Sequence, residues 1–190
     1  MNLRFAAADD APILREIYHC YTGTFTTFEY ELPSVEEFTH RITHTLEKFP
    51  YLVAEENGTI LGYAYAHPER ERLAYQWNAE LSIYLRPEAT GRRIGTALYE
   101  ALLELLTLQG VRNAYAIVVA PNPASEGLHR SQGFRLLGIH RKTGYKNRVW
   151  HDTLWYEREV APHNPEPAPL IPIGQIDCEA IRRILEAHGW

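Results

Sequence analysis

Three segments of the chain combine residue types that could do chemistry. In Trp77-Asn78-Ala79-Glu80-Leu81-Ser82-Ile83-Tyr84-Leu85, one carboxylate interrupts a largely apolar run. An acid inside a strand either faces solvent, where it does nothing, or faces a cleft, where it is a general base for a nearby nucleophile. Directly downstream, Arg86 to Arg93 leads into Ile94-Gly95-Thr96-Ala97-Leu98. A loop with Gly91 and Gly95 at a helix N-terminus leaves backbone N–H groups unpaired at the positive end of the helix dipole, which attracts an anion. Arg92 and Arg93 add positive charge there. The plainer reading is that the glycines only permit a tight turn, and the Gly-Lys-Ser/Thr ending of a nucleotide P-loop is absent. The third segment runs from Pro121-Asn122-Pro123-Ala124-Ser125 to Leu128-His129-Arg130-Ser131-Gln132-Gly133-Phe134. By type, Asn122 is a helix cap, and His129 is a structural or surface residue of a short helix.

Other charged and polar groups carry weaker signals. Glu69-Arg70-Glu71-Arg72 alternates in sign just before the Glu80 strand. In an extended segment, residues i and i+2 share a face, so the two arginines can point together while the glutamates point away. Arginine's planar fork suits carboxylate-type groups; on the charges alone, a solvated turn with local ion pairs is the plainer reading. The nine histidines show no metal-ligand spacing, and His40 and His44, at i and i+4, lack the HExxH glutamate. No metal is expected. Cys20 and Cys178 belong to no CxxC pattern, so no disulfide is expected, and the reading is a reduced, cytoplasmic protein.

The elements that must position these groups follow from periodicity and punctuation. Leu3 to Ala7 reads as a strand. Asp9-Asp10-Ala11-Pro12 starts a helix with a capping acid and an early proline, and Ile13, Leu14, Ile17 and Tyr18 recur at helical spacing. Gly23 to Leu32 is a Thr- and aromatic-rich loop. Ser34 and Glu37 form a capping box for a second helix with Phe38, Ile42 and Leu46 on its apolar face. Tyr51 to Glu55 and Thr59 to Ala66 are strands joined at Asn57-Gly58. Beyond the charged turn, Tyr75 to Leu85 is a longer strand. Ile94 to Gln109 is a strong helix stopped by Gly110. Asn113 to Ala120 is a strand, Ala124 to Gln132 a short helix, and Phe134 to Ile139 and Val149 to Val160 are strands. This order predicts a mixed α/β (α+β) sheet with helices on both faces.

At 190 residues the chain is sized for one domain. Composition shifts after Val160: residues 161–172 hold five prolines and read as an extended tail, and Asp177 to Ala187 is a short amphipathic helix. The organisation is therefore 1–160 as the domain and 161–190 as a proline-rich C-terminal extension. A net charge of −5 argues against general nucleic-acid binding. No run reaches the length of a membrane span, and the N-terminus lacks the pattern of a signal peptide.

In order and at matching spacing, these segments resemble the GNAT acetyltransferase superfamily over about residues 1–160. The strings Arg70-Glu71-Arg72-Leu73-Ala74-Tyr75, Glu80, Ser82-Ile83-Tyr84-Leu85, Leu128 to Phe134, Gly144-Tyr145-Lys146 and Trp150-His151-Asp152 are similar to its phosphinothricin acetyltransferase branch. Thr26-Thr27-Phe28-Glu29 with Pro33 resembles that branch's early substrate loop. The resemblance implies a mostly antiparallel central sheet of about seven strands and acetyl-CoA as cosubstrate. It also implies transfer of the acetyl group to the amine of a small amino-acid-like molecule in a ternary complex, by a homodimer. It assigns Glu80 as general base and His129 as the acid for the leaving sulfur. Cofactor contacts fall on Ile83, Tyr84, Leu85, Gly91, Arg92, Arg93, Ile94, Gly95, Thr96, Asn122 and Ser131, and substrate contacts on Phe28, Arg70, Arg72 and Tyr75. The superfamily's phosphate loop usually reads Gln/Arg-x-x-Gly-x-Gly/Ala; here Thr90 takes the first place, and Arg93 replaces the first glycine. If Arg93 is helical in conformation, it can still donate its N–H. Residues 177–190 extend beyond the usual family end. Two rivals are acetylation of a protein or peptide, which needs an open groove, and a non-catalytic acyl-CoA sensor, which has no use for Glu80.

Overall fold

Apolar alternation, helix caps and glycine turns lay out seven strands and five helices in the computed structural model, which describes residues 1–190. The strands are β1 (Asn2–Phe5), β2 (Tyr51–Glu56), β3 (Thr59–Pro68), β4 (Asn78–Leu85), β5 (Asn113–Val119), β6 (Arg135–Lys146) and β7 (Val149–Glu159). The helices are α1 (Ala11–Thr22), α2 (Val35–Leu46), α3 (Ile94–Gln109), α4 (Pro123–Ser131) and α5 (Cys178–His188). The strands form one sheet in the order β1-β2-β3-β4-β5-β7-β6. Every pair is antiparallel except β4 with β5, which α3 joins as a crossover.

Two cores lie on opposite faces of this sheet. One packs Leu98, Leu102 and Leu105 of α3 against Leu52, Ala64, Ala79 and Leu81. The other packs Leu14 and Ile17 of α1 and Phe38 and Ile42 of α2 against Tyr51, Val53 and Tyr63. Successive strand residues alternate faces. In β4, Ala79 and Leu81 join the α3 core with Ile83 and Leu85 against it, while Tyr84 lies against the α1–α2 core. Glu80 and Ser82 share Tyr84's parity and therefore face the α1–α2 side.

Local signals act mostly as predicted. The Ser34 hydroxyl accepts from the Glu37 N–H at 3.1 Å, and Gly110 closes α3 at φ +94°. Three departures have local causes. Asp10 does not cap α1 with its side chain; Arg4 and the Ala7 N–H claim its carboxylate instead, each at 2.7 Å at closest. Leu73–Tyr75 is a single 3-10 turn, so β4 starts at Asn78. β6 runs past Ile139 to Lys146, across polar residues that carry no strand alternation. A register shift between His140 and Gly144 accommodates them, and Asp152 holds it by accepting from the Lys142 N–H at 2.8 Å and from Arg141 at 2.9 Å.

The C-terminal extension returns along the molecule. Leu170 and Ile173 are buried in the α3-side core. Gln109, fully buried, donates to the carbonyls of Lys48 at 2.6 Å and Ile171 at 2.8 Å. Ile181, Ile184 and Leu185 of α5 pack against the same core, and the Trp190 N–H reaches the Met1 carbonyl at 2.8 Å.

Candidate active site

The parallel pairing of β4 with β5 covers only Asn78–Glu80 opposite Asn113–Tyr115. Beyond Glu80 the two strands separate, although both continue. The phase of the β3–β4 ladder then decides which groups face the gap. Arg86 N–H donates to the Leu61 carbonyl at 2.8 Å, and the Cα register pairs Tyr63 with Tyr84 and Tyr65 with Ser82. Antiparallel pairs alternate between bonded and non-bonded, so residues 80, 82 and 84 spend their backbone groups on β3. Leu81, Ile83 and Leu85 direct theirs toward β5, which has moved away. An extended chain laid in this gap finds free strand N–H and C=O groups at Ile83 and a free N–H at Leu85.

The gap opens into a cleft of about 380 Å³ whose walls include Ile83, Leu85, Ile94, Gly95, Thr96, Asn122 and Leu128. Gly95 lies between the walls: a Cβ there would meet the side chains of Ile83 and Leu128 at 3.4 Å, an ordinary contact. At the polar end, Gly91 has φ +75° and Arg93 has φ +66°, ψ 6°. Arg93 is therefore left-handed rather than helical, a correction to the condition set from sequence. It holds a conformation that glycine adopts at no steric cost, and it starts α3 beside free N–H groups. The Arg92 guanidinium grips both carboxylate oxygens of Glu56 at 2.8 and 3.0 Å, so the free cation on the cleft wall is Arg93. Asn122 does cap α4, its Oδ1 accepting from Ser125 N–H at 3.2 Å, and it also lines the cleft.

Glu80 lies where the strands part, on the α1–α2 face. It is half-buried, and burial pushes its pKa above the ordinary carboxylate value. His67, across the β3 register with Nε2 at 4.0 Å, opposes that shift, while Glu69 adds to it. A carboxylate raised toward neutral pH is a better proton acceptor for an amine. No cluster of three or more His, Cys, Asp or Glu side chains converges to hold a metal ion.

Several predicted contacts lie elsewhere. His129 is 2% exposed and packs among Tyr99, Phe134 and Tyr156. Its Nδ1–H donates to the Ser125 carbonyl at 2.7 Å, and its Nε2 accepts from the Tyr99 hydroxyl at 3.0 Å. Burial lowers its pKa. With both nitrogens engaged in the core, it has no proton to offer the cleft, which corrects the assignment as acid. Tyr84 turns to the α1–α2 side, against Tyr18, Tyr21 and Tyr63. Ser131 is exposed at the end of α4 and donates to Leu128 at 2.8 Å; it does not line the cleft.

Arg70, Arg72 and Tyr75 line a separate open recess of about 420 Å³ with Glu71. Arg70 pairs with Glu69 at 2.8 Å and stacks over Tyr75 at 5.2 Å. The expectation that the glutamates point away fails at Glu69, whose side chain is 8% exposed and acts on Glu80. Arg72 forms no ion pair. Phe28 sits on the loop after α1; it packs toward His151, and a Cβ at Gly144 would overlap its ring.

Two residues were missed. Tyr21 lines the cleft, and its hydroxyl donates to the Leu85 carbonyl at 2.5 Å. Lys146 had been noted only as part of a motif; it is 3% exposed, and its ammonium meets three carbonyls of the loop that carries Phe28. Tyr21 continues the Leu14, Ile17, Tyr18 stripe of α1, which marks it as core-facing but not as a cleft residue; Lys146 has no periodic signal, because it acts across more than 100 residues of sequence.

A family model described as an acetyltransferase (GNAT) domain matches residues 3–155. The chain is 32% identical over 177 residues to the phosphinothricin N-acetyltransferase of Streptomyces viridochromogenes, covering 93% of this chain and 96% of that one. It is 30% identical over 170 residues to the L-methionine sulfoximine/L-methionine sulfone acetyltransferase of Pseudomonas aeruginosa, covering 87% and 98%. The crystal structure of a GNAT superfamily phosphinothricin acetyltransferase from Sinorhizobium meliloti, in complex with AcCoA, is similar with a TM-score of 0.82. That protein is 36% identical, with 90% of this chain and 97% of that one covered.

Proposed function

The chain belongs to the GNAT acetyltransferase family, and from that premise we propose that it moves the acetyl group of acetyl-CoA to the amine of a small amino-acid-like substrate. The phosphinothricin, methionine sulfone and methionine sulfoximine class is the one its relatives' names point to. The observation that carries this reading is the parting of β4 from β5 just after Glu80. It puts a general-base candidate at the point where the strands part, and the cleft that opens beyond that point leads to a helix N-terminus with a free arginine.

Acetyl-CoA is a long thioester with anionic phosphates. The cleft fits that shape: apolar walls at Ile83, Leu85 and Leu128, strand N–H and C=O groups along one side, and Gly91 to Thr96 at the polar end. The incoming amine is mostly protonated at neutral pH. Glu80, directly or through a water, takes that proton. The free amine attacks the thioester carbonyl in a ternary complex with no covalent enzyme intermediate. The unpaired N–H of the parted strand around Ile83 polarises the carbonyl as charge develops on its oxygen. The departing thiolate, with a free-thiol pKa of about 8.5, takes up the second proton that the attacking nitrogen sheds as the amide forms, and the core position of His129 leaves that residue no acid role. Arg72, the unpaired cation of the turn before β4, is the candidate reader of the substrate's acid group, with Arg70 and Tyr75 beside it.

The two thiols, Cys20 and Cys178, are free and exposed, which favours a reducing compartment, and we place the protein in the cytoplasm. No helix is long and apolar enough to cross a membrane. We take the active form to be a homodimer. The deciding experiment incubates the protein with acetyl-CoA and a panel of free amino acids, methionine sulfone, methionine sulfoximine, phosphinothricin and peptides, and follows free thiol. Release with the small amines alone is expected. Release only with peptides favours the open-groove reading, and cofactor binding without release favours a sensor.

A further inference from the structure

We propose that Lys146 is a positioning residue for the amine side of the reaction: its buried ammonium fixes the loop after α1 in the form that receives the amine substrate. The proposal rests on the amine-acetyltransferase reading above. An ammonium has three N–H donors and no acceptor. At Lys146 all three are matched, to the carbonyls of Thr22, Thr27 and Glu29, each at 2.7 Å. These carbonyls span one short stretch of chain, while the lysine comes from the far end of β6, more than a hundred residues later. No helix or sheet pairs the stretch, so its carbonyls would otherwise turn to water.

What the stretch carries explains why its position matters. Thr26 lines the cleft together with Ile83 and Leu85. The Thr27 hydroxyl bonds to Tyr18 at 2.5 Å, on the aromatic face that Glu80 shares. The Glu29 carboxylate pairs with Arg41 at 2.8 Å, and its Oε2 is buried without a partner. Tyr65, raised by burial, is raised further by both Glu29 and Glu80, so the two carboxylates lie within electrostatic reach of one phenol. The loop therefore borders both the cleft and the Glu80 face.

The neighbours of Lys146 on the β6–β7 hairpin hold the same loop. Tyr30 donates its hydroxyl to the Tyr145 carbonyl, and Asn147 donates to the Gly23 carbonyl at 3.3 Å. His151 stacks on Phe25 at 4.9 Å, and Gly144 leaves the space that the Phe28 ring fills. Lys146 is the centre of this clamp because it alone binds three points of the loop. It touches neither the cleft wall nor Glu80, so it acts through the loop.

The test is steady-state kinetics of Lys146→Met, with amine and acetyl-CoA varied in turn, beside hydrogen exchange of residues 22–30. The expected result is an amine KM raised by at least about tenfold, the scale of misplacing a binding group. The acetyl-CoA KM and kcat should change much less, and loop exchange should quicken while the α3 amides stay protected. Lys146→Arg is the second variant: it keeps the cation, but its planar fork cannot point donors at all three carbonyls, so it should give the same split in weaker form. If Lys146→Met does not fold, Lys146→Arg decides alone. An unchanged amine KM, or equal losses on both substrates, overturns the proposal. A wild-type protein that releases no thiol with any small amine overturns the underlying reading instead, and the two failures are told apart by that control.

Discussion

Glu80 and Arg93 show how a residue's role depends on what surrounds it. Glu80 was visible in the sequence as an acid in an apolar run, but its usefulness comes from the strand parity that turns it to the α1–α2 side and from the burial that raises its pKa. The base works as carboxylate, so kcat/KM for the amine rises with pH as Glu80 loses its proton. A raised pKa puts that acid limb above the ordinary glutamate value of about 4.3. Glu80→Gln is expected to lower turnover by about 10²-fold or more and to abolish the limb, leaving acetyl-CoA binding intact. Wild-type turnover across the pH range in the mutant would show Glu80 to be structural. Arg93 separates backbone from charge. At φ +66°, an alanine keeps the steric cost and a glycine removes it, a difference of roughly 1–2 kcal/mol. That difference is partly offset by glycine's greater freedom in the unfolded chain. Arg93→Gly should therefore melt a few degrees above Arg93→Ala, while both raise the acetyl-CoA KM alike because both lose the cation. Unequal KM values would assign the role to loop shape instead. By its type His129 reads as a structural or surface residue and by the resemblance as an acid; the contacts of both its nitrogens lie in the core.

Elements were legible wherever one face is buried. The α3 periodicity, the Ser34 cap and the Asn57-Gly58 turn each report a local preference that packing then reinforces. β6 was half-missed because it is exposed along most of its length, and exposed strands carry no alternation to read. The cleft was not legible as geometry either, since the parting of β4 from β5 is a relation between two strands whose paired residues lie 35 apart in sequence. The α5 helix tests how far local amphipathicity turns into tertiary stability. Ile181, Ile184 and Leu185 pack on the α3-side core. Each buried aliphatic side chain contributes roughly 1.5–3 kcal/mol when fully buried, and these are only partly so, with the ordering of the tail set against them. A net stabilisation of about 1–3 kcal/mol is expected. Ending the chain after Ile176 should thus lower the melting midpoint by several degrees, at about 2–4 °C per kcal/mol for this size. The amine KM should stay unchanged, because α5 approaches neither Glu80 nor the loop after α1. A midpoint that does not move would mean α5 is marginally attached.

At the scale of the molecule, the single chain leaves one side of the sheet unfinished. β6 is the sheet's last strand, paired only with β7. From Arg135 to Thr143 nearly every residue is exposed, on both faces. Leu136, Leu137 and Ile139 are exposed there, and Tyr145, Val149 and Trp150 continue the apolar surface around the hairpin, with Leu137, Val149 and Trp150 all more than half exposed. An edge strand normally protects itself with charge, brevity or a cover. This one is 12 residues long, and its leucines are the residues a cover would bury. Exposed apolar side chains grouped along an edge strand and its hairpin mark an interaction surface. The other edge of the sheet, β1, is short and tied by Met1 to the end of the chain, so the asymmetry points to one face for self-association. A second copy related by a two-fold axis would set the same patch against itself. Light scattering at micromolar concentration should therefore report about twice the 21.9 kDa chain mass. Leu137→Asp, which puts a charge at the centre of the patch, should shift that mass toward the monomer while leaving the far-ultraviolet spectrum unchanged. A wild-type monomer would sink the homodimer. A dimer indifferent to Leu137→Asp would move its interface away from β6.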